Sequence, residues 1–305
     1  MLRTRKKRII SIVLILLVIV ASTLYLLADR YLIEHVEGRV LDVQPIETAA
    51  KVPNNISFDD WNYKSDNIQI KIDKVQTGSG SDLVTYFMAD ISLKDVSSLK
   101  SAFAENTFGR NIIEFTSKIA ADNNAILAIN GDYYGFRSDG ILIRNGNVYR
   151  DIPTRFGAAF FEDGTLQSYD EKDSSSAKLL EKGATNTLSF GPVLLNKGRI
   201  TSDFNNTVID TNFGNKSIQG TNPRTGVGMI SPNHFVFVVV DGRMDNYSKG
   251  MTLSEFAQLF ADLGCQEAYN LDGGGSSTMY FMGRIVNNPL GKNKERGVSD
   301  IIYIK

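Results

Sequence analysis

The sequence is poor in the residues that most often carry nucleophilic, redox and zinc chemistry. Its 305 residues include one cysteine, Cys265, and two histidines, His35 and His234. A single cysteine cannot form an internal disulfide, and no Cys/His group has the spacing of a zinc site. Two histidines also leave little material for a Ser-His-Asp or Cys-His mechanism. Acid or base chemistry therefore falls to carboxylates.

An excess of positive charge is also missing. The formal net charge is -1 and the sequence pI is about 6.2. A nucleic-acid-binding surface usually needs a basic excess or a basic stripe, and the sequence has neither outside its N-terminus. Nucleic acid is therefore not a predicted partner. The hydrophobic content of 42% is enough for a sizeable core.

The N-terminus combines a basic cluster with a long apolar run. Five Arg and Lys residues between positions 3 and 8 precede residues 9–27, which are almost all apolar. A helix of this run reaches roughly 28 Å, about the hydrocarbon thickness of a bilayer. We therefore predict an uncleaved transmembrane signal anchor at 9–28. A cleaved signal peptide is the alternative, although its apolar core is usually only about 7 to 15 residues long.

The basic residues also predict the topology of the chain. The positive-inside rule puts residues 1–8 in the cytoplasm as a short tail and everything after residue 29 outside. This describes a single-pass protein of the cell membrane. Residues 29–66, with Pro45 and Pro53 among short apolar pieces, are predicted to be a stalk, and residues 67–305 one extracellular domain.

Hydrophobic periodicity predicts the elements of this domain. Alternation over 67–73 and the apolar stretch 84–93 predict a hairpin, and helical spacing favours helices at 97–108, 111–122 and 253–263. The last of these begins with a capping box at Thr252 to Glu255. Further strands are predicted at 125–129, 158–161, 225–230, 235–240 and 298–304. Strands and helices do not alternate regularly, so the predicted fold class is α+β, a mixed central β-sheet with packed helices.

One glycine-rich stretch has the features of a binding site. Asp272 is followed by Gly273, Gly274 and Gly275, and then by Ser276 and Ser277. Glycines let a backbone approach a ligand closely, and successive N–H groups in such a turn can bind an anion. A flexible Gly/Ser linker would have polar flanks. Apolar residues on both sides of this stretch indicate a rigidly held loop.

Two more acids follow apolar strands in the same way. Asp132 comes shortly after strand 125–129 and Asp241 directly after strand 235–240, each beside a glycine, and amides at Asn130 and Asn270 lie nearby. Ligands commonly bind at strand ends, so we expect these side chains to converge. The alternative for each Asp-Gly pair is an ordinary turn.

Arginines in two loops suit a phosphate. Arg224 and Thr225 open a predicted strand, and Arg243 follows Asp241. A guanidinium group matches phosphate oxygens in a bidentate way that lysine cannot. Arg296 lies in a charged loop, and we expect it to be solvated.

These motifs together resemble the phosphodiester glycosidase family, whose bacterial members are often described as exopolysaccharide biosynthesis proteins. The resemblance covers about residues 67–305 and is carried, in order, by Asn130-Gly131-Asp132, Ser189-Phe190-Gly191-Pro192, Asn222-Pro223-Arg224-Thr225-Gly226, Val240-Asp241-Gly242-Arg243, the glycine-rich stretch 270–279, Val286-Asn287-Asn288-Pro289 and Glu295-Arg296-Gly297-Val298.

The resemblance implies a hydrolase that cleaves the glycosidic bond of a sugar-1-phosphodiester in a cell-surface glycan. The residues suit that reaction, because Arg224, supported by Arg243 or the Gly273–Gly275 amides, could hold the phosphate. Asp272 is the first candidate for the carboxylate that the transition state needs, with Asp132 and Asp241 as the others. The predicted sugar-binding residues are Asn130, Asn270 and Ser276, and Thr225 and Ser277 complete the substrate-binding set.

Two alternatives remain open from the sequence. A metal-dependent phosphodiesterase would use Asp132, Asp241 and Asp272 as ligands of Mg²⁺ or Ca²⁺. A non-catalytic protein would keep the pocket and bind cell-wall polymer or exopolysaccharide without turnover. The reading we adopt has no cofactor and no metal ligand.

A chelator assay separates these readings. We expect the protein to release free reducing sugar from an α-sugar-1-phosphodiester equally well with and without EDTA, because carboxylate chemistry needs no cation. Loss of activity that Mg²⁺ or Ca²⁺ restores would favour the phosphodiesterase. Absence of sugar release across several sugars would favour the binding protein.

Overall fold

The computed structural model describes residues 2–39, 55–209 and 218–305, and it begins with a long exposed helix. Helix α1, Leu2–Tyr31, contains the predicted apolar run. Residues 6–31 are long and apolar enough to cross a membrane, and their most apolar window has a mean hydropathy of 2.9. The prediction of one N-terminal apolar helix is confirmed. Membrane anchors and signal sequences both have this property.

Strands dominate the rest of the described chain. The other helices are α2 Thr116–Asp122, α3 Ser176–Glu181 and α4 Leu253–Asp262. The strands are β1 His35–Arg39, β2 Ser57–Phe58, β3 Asn62–Lys64, β4 Ile68–Thr77, β5 Val84–Leu93, β6 Leu99–Phe103, β7 Thr107–Arg110, β8 Leu127–Asn130, β9 Gly140–Arg144, β10 Asn147–Ile152, β11 Phe156–Phe161, β12 Leu166–Asp170, β13 Ala184–Leu188, β14 Val193–Asn196, β15 Arg199–Ile200, β16 Arg224–Ser231, β17 His234–Val240, β18 Glu267–Asn270, β19 Met279–Phe281, β20 Arg284–Ile285 and β21 Asp300–Ile304.

Two large sheets form the framework. One has nine strands in the order β15-β14-β18-β16-β17-β5-β4-β3-β2, and the other has five in the order β20-β19-β8-β21-β6. The predicted hairpin is confirmed, with β4 and β5 paired from Ile68↔Leu93 to Thr77↔Val84. The α+β class is also confirmed.

Strand direction differs from the expected mixed sheet. All pairs between described strands in the two large sheets are antiparallel. Antiparallel strands can be joined by tight hairpins, whereas parallel strands need long crossovers. Short connections account for the antiparallel pairing of β4–β5, β16–β17 and β19–β20, which follow one another closely along the chain.

The two sheets pack face to face around the main core. Alternate residues of β17 point to opposite sides, so Phe235, Phe237 and Val239 join the core between the sheets. From the five-stranded sheet, Ile129 and Phe281 enter the same core. The sheets therefore form a sandwich whose interior is a single apolar layer.

Each sheet has a helix on its outer face. Helix α4 begins with the predicted capping box between Thr252 and Glu255, and it packs Phe256 and Phe260 against Val238. Helix α2 places its buried residues against the outside of the five-stranded sheet. The order of layers is helix, nine-stranded sheet, five-stranded sheet, helix.

The helix predicted at 97–108 is wrong. This stretch forms β6 and β7, and β6 is an edge strand that pairs with β21. Between the two strands Glu105 and Asn106 have φ values of 52° and 50°, in the left-handed region, which interrupts any helix. Phe103 and Phe108 then pack together with Tyr134, so tertiary contacts decide the local structure.

The helix predicted at 111–122 is shorter than expected. Only Thr116–Asp122 is helical, because the preceding residues bind other parts of the chain. Asn111 has a φ of 61°, and Glu114 forms an isolated bridge with Val298. Ile112 lies before the helix and Ile119 lies within it, and both are buried in the same hydrophobic cluster, which explains their helical spacing in the sequence.

Parts of the predicted stalk join the folded domain. Strand β1 pairs with β7, and β2 and β3 extend the edge of the nine-stranded sheet beyond β4. The rest of the stalk, with Pro45 and Pro53, lies outside the described residues.

Candidate active site

The glycine-rich stretch connects the two large sheets. It begins after β18, in the middle of the nine-stranded sheet, and ends at β19 in the five-stranded sheet. We call residues 271–278 the glycine loop. Because β16, β17, β8 and β19 end around this crossing point, their terminal residues come together there.

Asn130 holds the glycine loop in place. Its side chain is buried at the end of β8, and Nδ2 donates to the carbonyl oxygen of Asp272 over 2.8 Å. Its Oδ1 accepts from the hydroxyl of Thr225 on β16 at 2.8 Å and from the backbone N of Thr278 at 3.3 Å. A single amide thus joins both sheets to the loop.

Two positions of the loop require glycine. A Cβ on Gly273 would lie 2.6 Å from the carbonyl oxygen of Pro223, too close for any side chain. Gly274 has a φ of 62°, in the region that glycine adopts without strain, and its N–H donates to the same Pro223 oxygen at 2.9 Å. The loop therefore runs directly against the segment that leads into Arg224.

The Asp272 carboxylate has one occupied oxygen and one open oxygen. Oδ2 accepts from the Ser276 hydroxyl at 2.6 Å and from Nη2 of Arg296 at 3.0 Å. Oδ1 has no hydrogen-bond donor within the described residues. The Asp272 side chain is 17% exposed, so solvent can reach this carboxylate.

Arg296 is part of this site, whereas the sequence interpretation expected it to be solvated. The side chain is half exposed, and the guanidinium group binds both Asp272 and the Ser276 hydroxyl. Its surroundings in the sequence are charged, which suggested a surface loop. The Glu295-Arg296-Gly297-Val298 motif was the signal that could have identified it.

Arg243 approaches the glycine loop at Gly274. Its guanidinium nitrogens would be 3.3 Å from a Cβ on Gly274, and Nη2 donates to Oδ1 of Asn222 at 2.7 Å. Burial and the positive charge of Arg296 lower the pKa of Arg243, while Asp272 opposes this. Two guanidinium groups therefore crowd one carboxylate, and an additional anion would relieve their repulsion.

Arg224 is buried and binds backbone carbonyls. Nε donates to Met251 at 2.9 Å, and Nη2 donates to Ile218 and Gly220 at 2.8 Å each. Burial, with Arg243 as a second cause, lowers its pKa to about 10. At neutral pH it remains a cation, which adds to the positive field, and its hydrogen bonds fix the segment that precedes β16 to the carbonyl of Met251.

The carboxylate of Asp132 is fully occupied. Oδ1 accepts from the backbone N of Tyr134 at 3.0 Å, and Oδ2 accepts from the backbone N of Ser189 at 2.9 Å. Nη2 of Arg144 lies 3.3 Å from Oδ2. The side chain thus fastens two backbone segments next to the glycine loop.

Asp241 is also occupied on both oxygens. Oδ1 accepts from the Asn287 side chain at 2.8 Å, and Oδ2 accepts from the Tyr247 hydroxyl at 2.8 Å and from the backbone N of Asn288 at 3.0 Å. Burial raises its pKa despite these bonds. Asn287 also donates to the carbonyl of Ser277, so Asp241 supports the end of the glycine loop. Among the described residues, no three His, Cys, Asp or Glu side chains are arranged to hold a metal ion.

A buried ion pair that the sequence interpretation missed lies beneath Asp132. Nη2 of Arg144 is 2.6 Å from Oδ2 of Asp300, at the start of β21, and Asp300 abuts Gly131 so closely that a Cβ there would collide with it. Burial raises the pKa of Asp300 to about 7, with Arg144 opposing and Asp132 adding to the shift. Asp300 lies at the start of an apolar strand, and no local sequence pattern predicts that it pairs with Arg144.

Several polar atoms around the loop have no partner within the described residues. Oδ1 of Asn270 is buried and unbonded, while its Nδ2 donates to the carbonyl of Gly191 at 2.8 Å. The hydroxyls of Ser277 and Thr278 are buried and unbonded as well. On the far side of Gly191 a cavity of about 840 Å³ opens between β12 and β14, lined by Phe156 and Phe190 among others.

Comparison with known families identifies the class of this fold and site. The family model described as phosphodiester glycosidase matches residues 123–305, which is more than half of the chain. The chain therefore belongs to the phosphodiester glycosidase family. The match includes the glycine loop and all three acids.

One curated relative matches part of this chain. The SPbeta prophage-derived uncharacterized protein YomE of Bacillus subtilis (strain 168) is 32% identical over 206 residues, which are 65% of this chain and 30% of that protein. This chain thus matches less than a third of the length of that relative.

Two solved structures show the same fold. The catalytic domain of zebrafish N-acetylglucosamine-1-phosphodiester alpha-N-acetylglucosaminidase superposes with a TM-score of 0.59 at 20% identity, covering 90% of this chain and 96% of that one. A hypothetical protein from Synechocystis gives a TM-score of 0.58 at 15% identity, covering 83% and 64%.

The raised pKa of Asp300 predicts a specific pH dependence of stability. A carboxyl group in the unfolded chain titrates near 3.8, so between this pH and about 7 the folded protein holds a proton that the unfolded chain releases. The resulting stabilisation is fully present below pH 3.8 and is lost as the pH rises through about 7.

Urea unfolding of the wild type and of Asp300→Asn tests this dependence. The wild-type free energy of unfolding minus that of the variant should fall as the pH rises from about 4 to about 8, by at most about 1.4 kcal/mol per pH unit. A difference that stays constant over this range would show that Asp300 titrates alike in both states.

Proposed function

We propose that this protein hydrolyses the glycosidic bond of sugar-1-phosphodiesters, with Asp272 as the reacting carboxylate. Membership of the phosphodiester glycosidase family supports the reaction class. The observation that supports the residue is the hydrogen bonding of the three candidate acids. Asp132 and Asp241 have both oxygens occupied, whereas Oδ1 of Asp272 is open beside two guanidinium groups.

The phosphate is held by Arg243 and Arg296, which approach the glycine loop at Gly274 and at Gly275, respectively. Both guanidinium groups reach the loop, and the backbone N–H groups of Gly273–Gly275 are candidates for further donors. Charge-assisted hydrogen bonds of this kind are about twice as strong as neutral ones. Arg224 contributes its charge and positions the backbone that Gly273 and Gly274 contact.

The bond that breaks joins the anomeric carbon to a phosphate oxygen. The phosphate oxygen keeps the electron pair, and a phosphomonoester is a good leaving group that needs little help from a general acid. The carbon then carries oxocarbenium character, which a nearby carboxylate stabilises. Asp272 serves either as the nucleophile or as the base that takes a proton from water. In both cases water supplies the hydroxyl of the free sugar.

The sugar hydroxyls require donors and acceptors that are already fixed. Asn270 offers a buried Oδ1 without a partner, and Ser277 and Thr278 offer buried hydroxyls in the same condition. Buried polar atoms without a hydrogen bond are costly, and these atoms are shielded from solvent, so a sugar hydroxyl satisfies them only if the glycine loop shifts to admit it. Asn130, Thr225 and Ser276 act through the geometry of the loop and of Asp272.

We place the reaction at the outer face of the cell membrane. Basic residues precede the apolar part of α1, which favours a cytoplasmic N-terminus of residues 1–8 and an uncleaved anchor at 9–28. Residues 29–66 then lead into the domain at 67–305. The substrate in this arrangement is a cell-surface glycan, such as an exopolysaccharide or its precursor.

Substitution of Asp272 tests the catalytic assignment. Asp272→Asn keeps the size of the side chain and removes the carboxylate, so kcat for sugar release from an α-sugar-1-phosphodiester should fall by about three orders of magnitude or more. The melting temperature should stay near the wild-type value, because the Asn oxygen can still accept from Ser276 and Arg296, and the lost ion pair with Arg296 is half exposed.

Matched variants separate catalysis from folding. Asp132→Asn and Asp241→Asn each remove a charged acceptor from a buried network, so both should lower the melting temperature, unlike Asp272→Asn. Wild-type turnover in Asp272→Asn would remove Asp272 from the reaction.

Replacement of arginine by lysine tests the phosphate site. Arg243→Lys and Arg296→Lys keep the charge but lose the planar fork, so we expect kcat/KM to fall about ten-fold or more. Arg199→Lys, at an exposed position of β15, is the control and should leave the rate unchanged. If all three variants hydrolyse the substrate equally fast, the two loop arginines do not hold the phosphate.

A further inference from the structure

The end of helix α1 is bound directly to the folded domain. Nδ2 of Asn111 donates to the carbonyl oxygen of Asp29 at 2.9 Å and to that of Ile33 at 2.7 Å. His35 lies 3.1 Å from the Asp29 carboxylate, and β1 then pairs with β7. The chain therefore leaves the helix and enters the domain within a few residues, so the domain surface around Asn111 lies next to the end of α1.

Large apolar side chains are exposed on this surface. Leu32 and Val36 follow α1 and are 78% and 63% exposed, and Ile113 and Phe115 follow Asn111 and are 45% and 49% exposed. We call these four residues the apolar rim. Single exposed apolar residues are ordinary on soluble proteins, but these occur on the two segments that Asn111 joins to the end of an apolar helix.

The segment that carries the rim also supports the active site. The side chain of Ile113 packs against Gly297, and Glu114 and Val298 exchange backbone hydrogen bonds of 3.0 and 2.8 Å. The backbone N of Ser117 donates to the Glu295 carboxylate at 2.9 Å. Residues 295–298 include Arg296, which binds Asp272. The rim is thus one layer of residues away from the site.

We propose that the apolar rim inserts into the interface of the membrane that holds α1, so that the site receives sugar-1-phosphodiesters whose alcohol is a lipid of that membrane. This inference rests on the proposed function and on the anchor. Leu, Ile and Phe partition into the boundary between headgroups and acyl chains, and Arg30 and Tyr31 at the end of α1 are residues that favour the interface.

The short connection between α1 and the domain keeps the active site close to the membrane surface. A lipid-linked phosphodiester presents its phosphate at the headgroup level, and Arg296 stands next to the rim at that level. A domain on a long free stalk would meet soluble polymer as readily as lipid-linked sugar. Docking by the rim therefore favours the membrane-held substrate over the soluble one.

Fluorescence quenching tests the docking on the full chain in vesicles of phosphatidylethanolamine and phosphatidylglycerol. Cys265 is buried, so a single cysteine introduced at position 115 or 32 can be labelled selectively with an NBD fluorophore. Phe115→Cys and Leu32→Cys should be quenched by a lipid with a doxyl group near its headgroup, at least about two-fold more than Phe58→Cys. Phe58 is 60% exposed on the edge strand β2 and is the control.

A second label separates the docking from the anchor. NBD at Leu16→Cys should be quenched by doxyl groups deep in the acyl chains, because this residue lies in the middle of the apolar run. If the label at position 16 is quenched but the label at position 115 is quenched no more than the label at position 58, the docking is overturned and the anchor stands. No quenching at position 16 would overturn the anchor, and with it the docking proposed here.

Kinetics test the consequence for the substrate. The probes are the α-N-acetylglucosamine-1-phosphodiester of a long-chain alcohol in the vesicles and the same phosphodiester of methanol in solution. Leu32→Ser combined with Phe115→Ser should lower kcat/KM for the vesicle-held probe about ten-fold and leave the soluble probe unchanged. Equal loss on both probes, or no loss on either, would overturn the proposed preference. If the wild-type protein hydrolyses neither probe, that result would count against the proposed function itself, whatever the quenching shows.

Discussion

Asn130 joins the two large sheets at the point where the glycine loop passes between them. Its Nδ2 binds the carbonyl of Asp272 and its Oδ1 binds Thr225 and Thr278, so one buried amide fixes both sheets and both ends of the loop. Without it, three buried polar groups would lose partners, at roughly 1 to 3 kcal/mol each. The position of the Asp272 carboxylate depends on this connection, because the loop has glycine where side chains would otherwise fix its course.

Charge is distributed unevenly around that carboxylate. Arg243 and Arg296 reach the glycine loop and Arg224 begins the strand beside it, and among the three candidate acids only Asp272 has an oxygen without a hydrogen-bond donor in the described residues. Burial and mutual repulsion lower the pKa of Arg224 and of Arg243, which means that the folded protein holds these charges at a cost. The phosphate of the proposed substrate would offset this cost. Groups preorganised in this way stabilise developing negative charge without having to move during the reaction.

The sequence predicted the elements whose signal is local. The alternation in β4, the apolar run of β17 and the capping box of α4 each depend on residues close together in the chain, and all three form as expected. The strand-end position of Asp132, Asp241 and Asp272 was also predictable, since Asp241 and Asp272 directly follow apolar residues and Asp132 follows an apolar strand after Asn130 and Gly131. The crossing of the glycine loop from one sheet to the other was not, because it depends on which sheet each strand joins.

Hydrogen-bond partners explain the remaining differences. The oxygens of Asp132 are occupied by backbone N–H groups of Tyr134 and Ser189, and those of Asp241 by Asn287 and Asn288, and neither set could be inferred from spacing. Arg296 appeared to be a surface residue because its sequence neighbours are charged. The strands at 97–108 were mistaken for a helix because their partners are distant in the chain. Strand β6 pairs with β21 near the other end of the domain sequence, and β7 pairs with β1 directly after α1, both beyond the reach of any local pattern.

The glycine loop, which crosses from one sheet to the other, limits the substitutions that the core tolerates. The distance between the sheets is set by the bulk of residues such as Phe237 and Phe281, and the loop spans that distance with a fixed number of residues. A larger or smaller side chain in the sandwich would change the spacing and pull the loop along with it. The volume of side chains far from the loop therefore helps to set the position of the Asp272 carboxylate, because one connection of fixed length joins the two sheets.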